Sequence, residues 1–203
     1  MLYKLRNLTS KYFEVPIAKI LIKLRFSPNL ITLIGLALAI VSGFLISDTT
    51  IQNHFVYAAI ILLMSGILDL FDGAVARLTN NVTQLGAFID SFSDRVGEIA
   101  VFLGITIYFG LNDNLVGSSL TLAALGGSLT VSYIRARAEA LKIKCETGLV
   151  ARPERIILLF IGILAANWWP PMLTIVMGIL TVTTIITSFQ RFLIVVKHIS
   201  KST

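Results

Sequence analysis

Long runs of apolar residues alternate with short polar segments along most of the chain. Most of these runs approach the roughly 20 residues that an α-helix needs to cross a hydrocarbon core of about 30 Å. The fifth run is short, so its helix is predicted to begin earlier, around Pro153, because proline suits the first turn of a helix. The pattern predicts an all-α integral membrane protein, with six transmembrane helices in one membrane domain, residues 26–203. The runs begin near Pro28, His54, Leu85, Leu115, Ile156 and Pro171.

The first 25 residues have a different pattern, in which apolar and basic residues are mixed. Their apolar members recur at roughly helical spacing, which is typical of an amphipathic helix that lies in the headgroup region of a membrane. The alternative is a solvated basic tail. We therefore predict an interfacial segment over residues 1–25. Its apolar members are Leu2, Leu5, Leu8, Tyr12 and Phe13.

Composition and charge agree with a membrane protein of defined orientation. The chain is 56% hydrophobic and 14% charged, and its mean hydropathy is +0.85. In the six-span topology all 17 Lys and Arg residues lie on one side, and the opposite loops, around Asp48, Asp113 and Trp168, have none. The positive-inside rule makes that side cytoplasmic and places both termini there. The net charge of +6 then suits anionic membrane lipid and gives no reason to invoke nucleic acid.

Four aspartates interrupt the second and third apolar runs. Asp69 and Asp72 are three residues apart, and Asp90 and Asp94 are four apart, so each pair lies on one face of its helix. The connection between the two helices, about residues 78–85, is short and makes them antiparallel neighbours. We therefore expect the four carboxylates to converge at the cytoplasmic face.

Clustered carboxylates at membrane depth require cations, because like charges in one site disfavour one another's ionised form. Oxygen ligands without His or Cys select hard ions, Mg²⁺ first, with Mn²⁺ or Ca²⁺ as variants. Two ions about 4 Å apart would suit four carboxylates and a diphosphate substrate. The alternative is that Arg77 and Arg95 form structural ion pairs with the aspartates, but these could satisfy only two of the four.

Two glycines accompany the aspartates. Gly73 follows Asp72 directly, and Gly86 lies four residues before Asp90. Without a Cβ each allows a backbone or a ligand to approach closely. A contact between small residues of two helices explains them equally well, so the sequence leaves both interpretations open.

A second polar cluster consists of arginines beside apolar helix. Four of them surround the connection between spans four and five, and one lies late in the last span. Guanidinium groups present paired donors to phosphate oxygens, so this cluster with Ser132 is well suited to bind a phosphate. The alternative for Arg137 is an ion pair with Glu139 or Glu154. The arginines are Arg135, Arg137, Arg152, Arg155 and Arg191.

The aspartate stretch resembles the signature of the CDP-alcohol phosphotransferase family. The matching pattern is Asp69-x2-Asp72-Gly73-x2-Ala76-Arg77-x8-Gly86-x3-Asp90-x3-Asp94. The resemblance implies an enzyme in which the hydroxyl of a second alcohol displaces CMP from a CDP-alcohol, with a divalent metal as cofactor. It further implies metal ligation by the four aspartates, with Asp94 also as the general base. We expect two Mg²⁺ ions, with Mn²⁺ as the possible substitute.

The same resemblance implies a site for the CDP group. The stretch "SPNLIT" is similar to the family's N-terminal nucleotide contact, although Asn29 and Thr32 alone would indicate only a helix start after Pro28. The implied CDP-binding residues are Asn29, Thr32, Gly73, Ala76, Arg77 and Gly86.

The pattern "SYxRARAE…RPER" resembles one branch of this family, which makes phosphatidylinositol phosphate from CDP-diacylglycerol and inositol 1-phosphate, or the archaeol equivalent. The resemblance implies an enzyme with a CDP-lipid donor, membrane lipids around it and a homodimeric assembly. The alternatives are a phosphatidylglycerophosphate synthase that uses glycerol 3-phosphate and, more distantly, an ion transporter or channel subunit. The implied acceptor-phosphate pocket comprises Ser132, Arg135, Arg152, Arg155 and Arg191.

Overall fold

The computed structural model of the chain describes residues 14–145 and 148–202. These residues form seven α-helices joined by short connections, as the predicted all-α class requires. The helices are α1 (Val15–Lys23), α2 (Pro28–Ser47), α3 (His54–Leu78), α4 (Gln84–Leu111), α5 (Leu115–Ala140), α6 (Arg152–Ala166) and α7 (Pro171–Ser202).

The helices begin where the local sequence supplies a cap or a proline. Ser27 caps α2 by accepting a hydrogen bond from the Leu30 amide, and Pro28 occupies the first turn. Thr83 caps α4 in the same way, through the Gly86 amide at 3.0 Å. Such side-chain oxygens satisfy the amides that a helix leaves unpaired at its N-terminus. Helix α6 begins at Arg152 with proline in its first turn, which confirms the predicted start around Pro153.

Four of the seven helices, α2, α3, α5 and α7, are long and apolar enough to cross a membrane by length and composition. Helix α4 has 28 residues, but four charged side chains lie between its residues 90 and 98. Helix α6 has only 15 residues, which is short for a span. The chain is therefore a multi-pass membrane protein, as predicted. The full count of six spans belongs to the proposals below.

The bundle packs around a continuous apolar core. Helix α2 contacts α3 and α4, α5 contacts α7, and α6 packs between α3 and α7. Phe102 and Phe109 of α4, Ile163 of α6, and Leu173 and Met177 of α7 are buried in this core. Burial of large apolar side chains from several helices holds the helix ends in fixed relative positions, which matters because the polar residues lie at those ends.

Two glycines allow the backbones of α2 and α4 to touch. A Cβ on Gly104 would lie 2.0 Å from the carbonyl oxygen of Gly43, and a Cβ on Gly43 would lie 2.3 Å from that of Ala100. Both distances are far below van der Waals contact, so neither position accepts a side chain without separating the helices. This contact sets the position of α4 relative to α2.

The N-terminal helix α1 rests on the main bundle. Ala18 is buried against Ile31 of α2 and against Ala74 and Val75 of α3, while Ile20 is exposed. An exposed apolar face beside a packed one suits a helix at a membrane surface. The apolar residues on which the amphipathic prediction rested lie outside the described residues; these are Leu2, Leu5, Leu8, Tyr12 and Phe13.

The polar residues gather at one end of the bundle because successive helices run in opposite directions. This end comprises the starts of α2, α4 and α6 and the ends of α3 and α5. The C-terminal part of α7 reaches the same end, where Arg191 contacts the carbonyl of Val131. The fold therefore brings together residues that are distant in the sequence, such as Val131 and Arg191, which are 60 positions apart.

Candidate active site

Three of the four aspartates form a compact cluster. One carboxylate oxygen from each of Asp69, Asp72 and Asp90 lies within 4.8 Å of the others. Asp72 is buried and accepts a hydrogen bond of 2.6 Å from the Thr32 hydroxyl. The spacing of the aspartates on α3 and α4 therefore brings their carboxylates together, and Thr32 of α2 orients one of them.

Asp94 joins this cluster through an arginine. The Nη1 group of Arg152 donates a hydrogen bond of 2.7 Å to Asp69 Oδ2, and the Nη2 group pairs with Asp94 Oδ1. One guanidinium thus bridges a carboxylate of α3 and a carboxylate of α4. Arg152 is one of the residues predicted to bind the acceptor phosphate, and its contact with the aspartates was not expected from the sequence.

The ion pairs that were considered as an alternative are present only in part. Arg95 lies 3.4 Å from Asp94 Oδ2, whereas Arg77 pairs with Glu14 at 3.7 Å and with none of the four aspartates. The alternative of structural ion pairs therefore does not hold for Arg77. Glu14 lies just before α1, too far along the chain for helical spacing to indicate the pair.

The chemistry of the cluster fits a hard divalent cation. Its donors are carboxylate oxygens from two helices, and they lie close enough to share an ion. Mg²⁺, Mn²⁺ and Ca²⁺ prefer such ligands, whereas softer metals favour His or Cys. Asp69, Asp72 and Asp90 would hold the metal, and Asp94 lies on the next turn of α4 beyond Asp90.

A cavity of about 320 Å³ opens on one side of the aspartate cluster. Asp72 and Asp90 form part of its wall, and we call it the donor cavity. Polar groups at the start of α2 face basic and small residues of α3 and α4 across it. All six residues predicted to bind CDP line it, namely Asn29, Thr32, Gly73, Ala76, Arg77 and Gly86.

The two glycines of the donor cavity contact side chains rather than a neighbouring backbone. A Cβ on Gly86 would lie 3.1 Å from Thr83 Oγ1 and 3.3 Å from Asn29 Oδ1. A Cβ on Gly73 would lie 3.1 Å from the Arg77 guanidinium. These contacts favour the interpretation that the glycines leave room for polar side chains and a ligand at the cavity wall.

A second cavity, of about 560 Å³, opens on the other side of the cluster. Asp90 and Asp94 contribute to its wall, and we call it the acceptor cavity. Arg155 and Arg191 are only 2% and 4% exposed, so two of its cations are withdrawn from solvent. All five residues predicted to bind the acceptor phosphate line it, namely Ser132, Arg135, Arg152, Arg155 and Arg191.

Glu139 also lines the acceptor cavity and pairs with an arginine. The Nε group of Arg135 donates a hydrogen bond of 2.9 Å to Glu139 Oε1, one helical turn away. Sequence analysis had left open a pair of Arg137 with Glu139 or Glu154, and the structure pairs Glu139 with Arg135 instead. Arg137 lies two residues after Arg135 on α5, and its side chain is exposed.

Asp90 belongs to both cavities. The donor cavity and the acceptor cavity therefore meet at the carboxylate cluster, where a group could pass from a ligand in one to a ligand in the other. Such an arrangement suits a reaction between two substrates held on opposite sides of a metal site.

Sequence analysis missed one ionisable residue of this region. Glu98 lies one turn beyond Asp94 on α4 and accepts a hydrogen bond of 2.5 Å from the Ser128 hydroxyl. Its Oε1 atom also lies 3.3 Å from Arg155 Nε. The spacing of four residues from Asp94 places it on the same helix face, so the periodicity that linked the aspartates could have indicated it.

The chain is similar to several known proteins. The model of the CDP-alcohol phosphatidyltransferase family matches residues 25–198. Phosphatidylinositol phosphate synthase of Mycobacterium marinum is 32% identical over 182 residues, covering 87% of this chain and 76% of the relative. The synthase of Corynebacterium glutamicum is 36% identical over 152 residues, covering 73% and 67%.

Solved structures of similar proteins also match the chain. Two crystal structures of Mycobacterium tuberculosis phosphatidylinositol phosphate synthase match the chain at 30% identity. The one in complex with manganese and citrate has a TM-score of 0.81 and covers 90% of this chain and 88% of its own. The one with CDP-DAG bound has a TM-score of 0.80 and covers 90% and 93%.

Proposed function

Since the chain belongs to the CDP-alcohol phosphatidyltransferase family, a family of metal-dependent transferases, we propose that it uses a CDP-lipid and inositol 1-phosphate. The phosphatidyl-type group of CDP-diacylglycerol, or of CDP-archaeol, is transferred to a hydroxyl of inositol 1-phosphate, and CMP is released. The observation that carries this proposal is the pair of cavities that meet at Asp90.

The donor cavity supports binding of the CDP group. Asn29, Thr32 and Arg77 present polar or cationic groups around it, and Gly73 and Gly86 leave room beside them. Arg77 can pair with a phosphate oxygen, since a guanidinium is always charged and offers paired donors. The M. tuberculosis synthase has been solved with CDP-DAG bound, which makes a CDP-lipid the natural donor.

The acceptor cavity supports binding of a phosphorylated alcohol. Five arginines and three acidic residues line it together with Ser132, so its wall has an excess of positive charge that an uncharged alcohol would not need. Arg155 and Arg191 are buried, so their interaction with an anion is weakly screened by solvent. Relatives of this chain are phosphatidylinositol phosphate synthases, and inositol 1-phosphate is the acceptor that we infer from them.

The aspartates act on the reacting groups. The attacking hydroxyl forms a bond to the β-phosphorus of the CDP-lipid, the bond from that phosphorus to the CMP oxygen breaks, and the hydroxyl proton leaves. Asp94 lies in the wall of the acceptor cavity and takes this proton as general base. Asp69, Asp72 and Asp90, together with Asp94, would hold two Mg²⁺ ions, which Mn²⁺ could replace. Bound there, the ions supply the positive charge that stabilises the diphosphate oxygens.

The decisive experiment is an acceptor panel. The purified protein in detergent is given CDP-diacylglycerol and Mg²⁺, and CMP release is measured with inositol 1-phosphate, free inositol, glycerol 3-phosphate or serine. We expect inositol 1-phosphate to give the highest kcat/KM and EDTA to abolish release. Preference for glycerol 3-phosphate would identify a phosphatidylglycerophosphate synthase instead, and Mg²⁺-independent or absent release would overturn the proposed reaction.

A pair of arginine variants on the same side of the bundle sharpens the panel. Arg191→Gln removes a buried cation from the acceptor cavity, and we expect the KM for inositol 1-phosphate to rise about tenfold or more, because a hydrogen bond to a charged group is lost. Arg137→Gln removes an exposed cation and should leave kcat and KM unchanged. Equal effects of the two changes would contradict the assignment of the acceptor cavity.

The proposal includes a topology. Helices α4 and α6 complete six spans within a membrane domain of residues 26–203, both termini and the active site lie on the cytoplasmic side, and the enzyme is a homodimer in the membrane. In a Cys145→Ser background, we expect Asn81→Cys to be labelled from the cytoplasmic side only and Asp113→Cys from the opposite side only. Labelling of both from one side would refute the six-span arrangement, and the mass in detergent tests the dimer.

A further inference from the structure

A buried glutamate lies behind the wall of the acceptor cavity and pairs with a buried arginine of that wall. Glu98 of α4 has a side chain only 10% exposed, and Arg155 of α6 has one only 2% exposed. Their contact, 3.3 Å from Arg155 Nε to Glu98 Oε1, joins two helices whose residues are 57 positions apart. Neither the family signature nor the reaction described above assigns a role to Glu98.

Glu98 is itself held in place. Ser128 of α5 donates a hydrogen bond of 2.5 Å to the same Oε1 atom, and Arg95 Nε lies 4.0 Å from Oε2. A carboxylate restrained from two other directions can fix a guanidinium that pairs with it, because the planar group loses its freedom to rotate once one edge is bound. Three helices, α4, α5 and α6, therefore determine the orientation of Arg155.

Arg155 keeps donors for another partner. Its Nη2 atom is buried and has no hydrogen-bond partner among the described residues, and the residue lines the acceptor cavity. A buried guanidinium donor without an acceptor is strongly unfavourable. The pairing with Glu98 satisfies only the Nε donor, so the Nη2 donor fits an anion that arrives with the substrate.

We propose that Glu98 is a positioning residue, which holds Arg155 so that its free donors meet the phosphate of the acceptor. The inference rests on the proposed function in one respect, namely that the acceptor is a phosphorylated alcohol. Glu98 neutralises the buried guanidinium while the cavity is open to solvent, and it sets the plane in which Arg155 receives a phosphate. Selection of phosphorylated over free alcohol then depends on Glu98 through Arg155.

A set of variants in the full-length protein tests this role. Glu98→Met removes the acceptor oxygens at similar size, and we expect the KM for inositol 1-phosphate to rise about tenfold with kcat and the CDP-diacylglycerol KM within about twofold of the original. Glu98→Gln retains an oxygen for Arg155 and Ser128 and should restore most of the affinity. Glu154→Gln, an exposed acid in the same turn as Arg155, is the matched control and should change nothing.

A double variant distinguishes positioning of Arg155 by Glu98 from a purely structural role of Glu98. Arg155→Met should raise the same KM, and adding Glu98→Met to it should raise the KM no further, because Glu98 acts through Arg155. The double variant also removes both buried charges together, so it should fold even where Glu98→Met alone is unstable. A double variant whose KM is the product of the two single effects would refute the proposal.

Two further results bear on it directly. An unchanged acceptor KM in Glu98→Met, with a lower unfolding temperature alone, would show that the pair only joins α4 to α6 and would overturn the proposal. If the original protein prefers another phosphorylated acceptor, the inositol assignment fails. The same variants are then measured with that acceptor. A raised KM for it in Glu98→Met supports the positioning role, and an unchanged KM refutes it.

Discussion

Replacement of Gly104 by alanine should destabilise the bundle through a single atom. The new Cβ would lie 2.0 Å from the carbonyl oxygen of Gly43, more than 1 Å inside ordinary contact, and a rigid backbone atom cannot rotate away. Overpacking of this kind costs about 1–3 kcal/mol. For a protein of this length each kcal/mol lowers the unfolding midpoint by about 2–4 °C, so we expect Gly104→Ala to unfold about 2–12 °C below a glycine-to-alanine change in the same helix that meets no neighbour.

The same helix offers the control. A Cβ on Gly110, also in α4, would meet nothing within 4 Å. Alanine favours a helix over glycine by about 1 kcal/mol, so Gly110→Ala should keep or raise the midpoint. Both variants are measured in detergent by the fluorescence of Trp168 and Trp169 during heating. Midpoints for Gly104→Ala and Gly110→Ala that agree within error would refute the reasoning that α2 and α4 depend on this close contact.

Three further predictions concern the charged cluster. Asp94→Asn should abolish CMP release while CDP-lipid binding stays measurable, and unchanged turnover would eliminate Asp94 as the base. Arg152→Gln removes the guanidinium that pairs with Asp69 and Asp94 and competes with a metal ion for them. The Mn²⁺ concentration that half-maximally stabilises the protein against heat should therefore fall about tenfold, which corresponds to about 1.4 kcal/mol of lost competition. A higher concentration would contradict this. Thr32→Val removes the 2.6 Å hydrogen bond to one metal-site carboxylate and should raise the donor KM about tenfold. A change confined to the acceptor KM would contradict the assignment of Thr32 to the donor cavity.

The helical class and the aspartate cluster could be predicted because they depend on short-range spacing. Intervals of three and four residues fix a helix face, and a short connection makes neighbouring helices antiparallel. Asp69, Asp72 and Asp90 consequently lie together as the pattern indicated. The start of α6 at Arg152 followed from a proline whose ring suits only the first turn of a helix.

Ion-pair partners could not be predicted in the same way. The contact of Arg152 with Asp69 joins residues 83 positions apart, and the contact of Arg77 with Glu14 depends on how α1 rests against α3. Such pairs follow from the tilt and depth of packed helices, which hydropathy does not encode. Glu98 is a different case, since its spacing from Asp94 placed it on the correct face, but no motif distinguished it from an ordinary charge.

The short length of α6 has a consequence for the membrane around the enzyme. Its 15 residues make about 22 Å of helix, whereas the hydrocarbon layer is about 30 Å thick. In the proposed six-span topology α6 crosses the membrane, and a spanning helix this short creates hydrophobic mismatch, which local thinning of the bilayer would offset. Since α6 begins with Arg152 at the acceptor cavity, the thinned patch would lie there, and the water surface would come closer to the carboxylates. A water-soluble phosphate and a lipid-anchored diphosphate can then meet at one depth without either leaving its own phase.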